Sequence, residues 1–284
     1  MNSKTVKTVK TVIAGFAALS MVGCSQQTAS SGTVSTALTM TGSSQASTIA
    51  KYKIEHPWLN LFMPAAMALP APAMTDASGA NVTLSKAWVV VKEVELEMTE
   101  QVSSAEDDGA EDSIEFSGPF VVDLLSAAPT SFGVAEVPAG VYRRIKMKLE
   151  KDAVLPAEAP MGLAGNSIYF EATVAGNQLT YSADDGTEFK ISGAGGINLG
   201  ESSNVLMAIK LADLFKMIDL SGVTSNVNIT SSNRVAGVNL CPLIDSSAQD
   251  LYTCFRKGLE AAGKLGKDDD GDCEIEEHED EVED

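Results

Sequence analysis

Side chains able to move a proton or attack a bond are sparse in this chain. His56 and His278 are its only imidazoles, one in a proline-rich stretch and the other in an acidic tail. No G-x-S-x-G or H-E-x-x-H pattern accompanies them. Adjacent carboxylates such as Asp184 and Asp185 read as turn formers, because acid–base work needs a cleft holding two carboxyl groups at a set separation. The run Gly193–Gly196 has no Lys-Ser/Thr behind it, so it reads as a loop between strands rather than a phosphate cradle. These residues imply no cofactor and a non-enzymatic protein, with a carboxylate-based hydrolase as the alternative from the enzyme class.

Metal ligation is weakly represented too. With Gly271 at position 6 of a calcium loop, Asp268, Asp270 and Glu277 fall on ligand positions, but Gly266 stands where the first acid belongs. Asp268, Asp270 and Asp272 are therefore weak cation candidates inside a solvated acidic run. Zinc would need a C-x₂-C pair, which Cys241, Cys254 and Cys273 do not make. Cys241–Cys254 is the disulfide expected, with Cys254–Cys273 as the alternative, and either leaves one thiol unpaired. Closing a loop of this length is worth ~3 kcal/mol in the chain-entropy treatment.

The N-terminus says where such a protein lives. Lys4, Lys7 and Lys10 precede the apolar run Val12–Leu19, which is too short to span a bilayer of ~20 residues. Met21-Val22-Gly23-Cys24 follows and resembles the bacterial lipobox, with Met where Leu is usual. The resemblance implies cleavage before Cys24, lipidation of Cys24 with palmitate-type chains, and a cell-envelope protein held at the outer membrane, since Ser25 rather than Asp follows the cysteine. Loss of those three lysines takes the formal charge from -19 to -22. With 20 basic against 39 acidic residues, nucleic acid is disfavoured as a partner. The membrane, through the N-terminal lipid, is the partner expected, with a glycan or an envelope protein as further candidates.

The mature chain divides into segments of distinct composition. Residues 24–52 are Ser, Thr, Gln, Ala and Gly with little to bury, and read as a flexible tether. The stretch His56–Met74 holds Pro57, Pro64, Pro70 and Pro72, which argues against a helix and for a strap packed by Trp58, Leu61 and Phe62. Strand patterns dominate from there to residue 235. Asn81–Met98 alternates, with Val82, Leu84, Trp88, Val90, Val94, Leu96 and Met98 on one face and Glu93, Glu95 and Glu97 on the other; Ser85-Lys86 is the expected break. Glu100–Glu115 is an acidic loop, and Phe116–Leu125 returns to strand.

Pro138 and Gly140 then make a tight turn into Val141–Glu150, where Val141, Ile145, Met147 and Leu149 alternate with Tyr142, Arg144, Lys146 and Lys148. Tyr142 reads as a strand-start tyrosine whose hydroxyl ties down a neighbouring loop, with ligand stacking as the alternative. Arg143 is a polar member of the inward row and is expected at the sandwich edge beside an acid. Arg144, Lys146 and Lys148 form a basic stripe that either pairs with Glu93, Glu95 and Glu97 or, if the rows are apart, contacts an anionic partner. Ser167–Val174, Leu179–Tyr181, Glu188–Ile191, Asn204–Leu211 and Val223–Ile229 read as strands, with hairpins at Gly176-Asn177 and Asp185-Gly186. Ala212–Ile218 reads as a short helix.

From 236 to 266 the period becomes helical: Asp245 or Ser247 caps a helix with Leu251, Cys254, Phe255, Leu259 and Ala262 on one face, ended by Gly263. Residues 267–284 form an acidic disordered tail, with 12 acids from Asp268 to Asp284. Many strands with no βα alternation make the chain mainly β, an antiparallel β-sandwich over 53–235 with a short C-terminal helix.

Three motifs carry a wider resemblance: Ala87–Leu96, Phe120–Leu125, and Pro138-Ala139-Gly140-Val141-Tyr142 with its basic-apolar strand. Together they make Val82–Leu149 resemble a family of bacterial and archaeal lipoprotein domains of unknown function, grouped with carbohydrate-binding-like β-sandwiches. That resemblance implies a fold and no established activity, and it makes Pro138, Gly140 and Tyr142 fold determinants. It also raises a glycan-binding module as an alternative function, with Trp58, Trp88, Tyr142 and Tyr169 as the aromatics that would stack on a sugar.

Overall fold

A computed structural model describes residues 33–42, 73–98, 114–126, 128–151, 153–184, 186, 188–199 and 203–267. Its spine is β3, Asn81–Met98, an 18-residue strand. One edge of β3 pairs with β7 (Ile168–Val174) from Val82 to Val89, then with β6 (Gly140–Leu149) from Val91 to Met98. Its other edge pairs with β2 (Ala73–Thr75) and then with β4 (Ile114–Asp123). Val90 is the changeover: its N–H donates to the Ser167 carbonyl at 2.8 Å, and its carbonyl accepts the Glu150 N–H at 3.0 Å. With β8 (Asn177–Ala183), β9 (Glu188–Leu199) and β11 (Val227–Ile229), these strands make an eight-stranded sheet ordered β11-β8-β7-β3-β6-β9, with β2 and β4 on the far edge of β3.

The second sheet has four strands: β12 (Gly263–Lys267), β10 (Ser203–Ile209), β1 (Thr33–Thr41) and β5 (Thr130–Pro138), in that order. It closes over the first sheet at both sides. Phe120 of β4 stacks on Phe132 of β5 with ring centroids 4.4 Å apart, and Gly263 of β12 lies against Ile191 of β9. The rest of the first sheet is covered by α1 (Leu211–Lys216) and α2 (Leu251–Ala261), joined to it by rings: Tyr181 lies 4.9 Å from Phe255 and 5.6 Å from Tyr252, and Phe255 meets Phe215 at 5.8 Å. Burying each such ring contributes about 1.5–3 kcal/mol.

The architecture is thus mainly β, a sandwich with a short C-terminal helix, as the alternation implies. Most pairs are antiparallel; β1–β10 and β8–β11 are parallel.

Several expectations are corrected. The tether over 24–52 is interrupted by β1, which lies between β10 and β5 with Val34, Thr36, Leu38 and Met40 buried. Its Ser/Thr-rich composition hid a clean period of two, and threonine is a good strand former. The sandwich therefore runs from Thr33 to Lys267 instead of 53–235, because β12 also pairs with β10. The strap residues Trp58, Leu61 and Phe62 lie outside the described residues, as does the acidic tail.

Within β3 the register shifts between Leu84 and Lys86 and again between Val91 and Glu93. Each shift turns the strand by one residue. Val82 and Leu84 face the core, then Ala87, Val89 and Val91, then Val94 and Leu96, while Trp88 and Val90 point to the opposite face. The expected break at Ser85-Lys86 is a bulge in a continuous strand.

The first hairpin turns on Ala175 and Gly176, both at positive φ (47° and 89°), as a type I′ turn demands. β8 and β9 do not pair as the two arms of the hairpin expected at Asp185-Gly186: β8 pairs with β7 and β11, and β9 with β6. Gly193–Gly196 lies within β9 instead of a loop. Asp250, in place of Asp245 or Ser247, caps α2, its carboxylate accepting the Thr253 N–H at 2.8 Å.

Candidate functional site

The turn at Pro138 carries the chain from one sheet to the other. Pro138 ends β5 opposite Thr33, and after Ala139 alone the chain enters β6 at Gly140, opposite Leu199. Tyr142, 1% exposed, sends its hydroxyl back to the Pro138 carbonyl at 2.8 Å. A ring buried in the core and a hydroxyl closing the turn fix the angle of the crossover. Pro138, Gly140 and Tyr142 therefore hold the fold at a sheet corner, and Tyr142 is not available for stacking on a ligand.

The outer face of β3 and β6 carries a charge ladder. Glu93, Glu95 and Glu97 stand opposite Lys148, Lys146 and Arg144 in the strand register. Arg144 reaches Glu97 at 3.3 Å, Lys146 pairs with the other oxygen of Glu97, and Lys148 pairs with Glu93. A hydrogen bond to Glu97 raises the Lys146 ammonium above its ordinary value, against desolvation; Glu93 does the same for Lys148. On the next strand Lys190 faces Lys146 and pairs with Glu188 at 3.5 Å. The basic stripe is engaged by its neighbours, so its reading as a contact for an anionic partner is set aside. The Arg143 side chain lies outside the described residues.

Trp88 and Tyr169 form an aromatic pair on the outer face, but it is covered. Trp88 is 7% exposed beneath Leu163, Leu155 and Ala159. Gly162 lies flat on the Tyr169 ring, where an added Cβ would stand 2.1 Å from a ring carbon. The Tyr169 hydroxyl donates to Glu171, which also holds Lys86 at 3.1 Å. Asp123, opposite Trp88 in the register, has its carboxyl pushed up by burial and partly restored by the Leu125 N–H at 3.0 Å. The sugar platform expected from Trp88, Tyr142 and Tyr169 does not form, because two rings are buried and the third lies under a loop. Trp58 is outside the described residues.

One residue with a large structural role was missed. Asp76, 3% exposed, receives the N–H groups of Ser78 (3.0 Å), Ala80 (2.7 Å) and Leu220 (2.7 Å), together with the Ser78 hydroxyl. It locks the turn after β2 to the loop after α1, where Ala77 also donates to the Ile218 carbonyl at 3.0 Å. The string Asp76-Ala77-Ser78-Gly79 is an Asx-turn signal. Its bond to Leu220 leaves no local mark in the sequence.

Cys241 and Cys254 are joined in a disulfide with Cα atoms 5.8 Å apart, tying α2 to the loop before it. That loop bounds an open groove of about 610 Å³ between Ala236–Asn239 and Ser246–Gln249. Nearby, Lys257 and then Ser247 hold the Asp245 carboxyl well below the usual carboxylate range. Arg234 lies over the Tyr252 ring at 4.9 Å and 3.7 Å from Asp250. Among the described residues no group of three or more His, Cys, Asp or Glu is placed to hold a metal ion. Cys24, Cys273, His56, His278, Asp185, Asp268, Asp270 and Asp272 fall outside the described residues.

A two-sheet β-sandwich with a tyrosine-pinned crossover and a charged outer ladder is the class of domain these observations define. The chain belongs to the DUF4382 family, a domain of unknown function, whose pattern matches residues 72–235. No curated protein and no solved structure matches the chain significantly. The matched span contains β5 and β10 but neither β1 nor β12, so the second sheet is completed by chain outside it.

Proposed function

We propose that the protein is a lipid-anchored, non-enzymatic lipoprotein of the bacterial cell envelope, held at the outer membrane and serving in surface binding or envelope structure. The observation that carries this reading is the sequence Met21-Val22-Gly23-Cys24 directly after the apolar run Val12–Leu19. A cysteine in that place, behind a small residue and a short apolar stretch, suits acylation after signal cleavage. The non-enzymatic part is supported by the sequence, in which His56 and His278 are the only imidazoles and neither G-x-S-x-G nor H-E-x-x-H occurs.

Radioactive palmitate fed to cells making the protein tests the anchor. The wild-type chain takes up label and sediments with membranes, and Cys24→Ala takes up none. Equal acylation and membrane retention of Cys24→Ala would sink the reading.

A further inference from the structure

Resting on the anchored reading above, we infer a preferred orientation: the Thr33 end of the sandwich faces the bilayer, and the far end of β3 points away from it. Chain length and topology carry the inference. From Cys24 to Thr33 the numbering leaves nine residue steps, which span at most about 30 Å when fully extended, whatever conformation they adopt. Thr33 cannot move further out by unravelling, because β1 is hydrogen-bonded on both edges, to β10 and to β5.

The strand registers show what else lies at that end. Pro138 pairs with Thr33, Gly140 with Leu199, Tyr142 with Met98, Ser203 with Thr36 and Lys267 with Val205. This end carries the uncharged turn Pro138-Ala139-Gly140-Val141, pinned by Tyr142, with Val141 37% exposed. A small apolar turn beside the root of the leash is suited to rest against lipid headgroups.

At its other end β3 begins at Asn81, close to the Ala175-Gly176 hairpin and to the loop that leads into β11. An 18-residue strand covers roughly 60 Å at full extension, twice the leash. With Cys24 in the bilayer, the leash therefore cannot reach Thr33 if the sandwich stands upright on its hairpin end. Residues 99–113 and 268–284, with 6 and 12 acids, join β3, β4 and β12 at the Thr33 end. Neutral vesicles are accordingly the surface for the test, since they exert no repulsion on those acids.

Full-length lipoprotein, carrying Cys273→Ser and one fluorophore-labelled cysteine at either Ala139→Cys or Ser225→Cys, is reconstituted into phosphatidylcholine vesicles bearing headgroup acceptors. Energy transfer is expected to place the 139 label nearer the headgroups than the 225 label by about 30 Å or more. Equal transfer from the two positions, or stronger transfer from 225, would overturn the orientation. Palmitate incorporation is measured on the same preparations. A protein without acyl chains would defeat the anchored reading, whereas an acylated protein with equal transfer would defeat the orientation alone.

Discussion

The hydroxyl of Tyr142 donates to the carbonyl oxygen of Pro138 across 2.8 Å, closing the one-residue turn by which the chain passes from the second sheet to the first. Removing the hydroxyl leaves the ring packed and the turn unpinned. Tyr142→Phe is expected to lower stability by about 1 kcal/mol, read as a lower urea midpoint at unchanged m. Tyr142→Ala should cost about 3–5 kcal/mol, because it empties a buried ring volume.

Asp76 predicts a larger loss for a smaller change in volume. Asp76→Ala deprives three backbone N–H groups of their acceptor, one of them the buried Leu220 N–H. A fall of about 3 kcal/mol or more in unfolding free energy is expected, with faster amide exchange at Leu220 and Ala80. Ser78→Ala, which keeps the carboxylate and its backbone donors, should cost less than 1.5 kcal/mol, roughly one hydrogen bond.

Two substitutions in β1 test whether residues 33–41 are strand. Leu38 is fully buried, so Leu38→Ala should cost about 2–5 kcal/mol. The Thr36 hydroxyl is buried without a hydrogen-bond partner among the described residues, so Thr36→Val should gain about 1 kcal/mol. Both changes would be silent in thermal unfolding if this segment were a free tether.

The ladder predicts a pH dependence of definite sign. Lys146 and Lys148 have folded values above the unfolded 10.5. Their contribution is fully present below that unfolded value and is lost as pH rises through the raised folded values. These pairs are partly exposed, so each is worth about 0.2–1 kcal/mol. The stability gap between wild type and Lys146→Met/Lys148→Met should hold from pH 7 to 9 and close as pH rises past 10.5 through the raised folded values, and high salt should narrow it at pH 7.

Asp123 runs the other way. Burial raises its carboxyl above 3.8, so protonation favours the folded chain and the ionised form at neutral pH costs stability. Asp123→Asn keeps an oxygen for the Leu125 N–H. It should unfold at higher urea than wild type at pH 7, and the difference should vanish below pH 3.8.

Which of these features can be read from sequence depends on how local their cause is. The pairing of Glu93–Glu97 with Arg144–Lys148 was legible because alternation fixes a face and opposite charges fix a partner. The role of the Tyr142 hydroxyl was legible because its acceptor lies four residues away. Simple alternation puts Trp88 and Val90 on the wrong face because the two bulges in β3 each slip the period by one, and no glycine or proline marks them. Residues 33–41 read as tether because their Ser/Thr content outweighs a period that only the partners β10 and β5 make useful. Asp185-Gly186 announced a reversal but could not say that β9 returns to β6. The bond from Asp76 to Leu220 joins segments 144 residues apart, a relation that only the folded chain creates.

The most direct test of the account is the mass of the N-terminal peptide of the protein isolated from membranes. The expected mature chain begins at Cys24, its sulfur carrying a diacylglyceryl group, with eight residues between it and Thr33. A mature chain that begins elsewhere, or an unmodified Cys24, would contradict it.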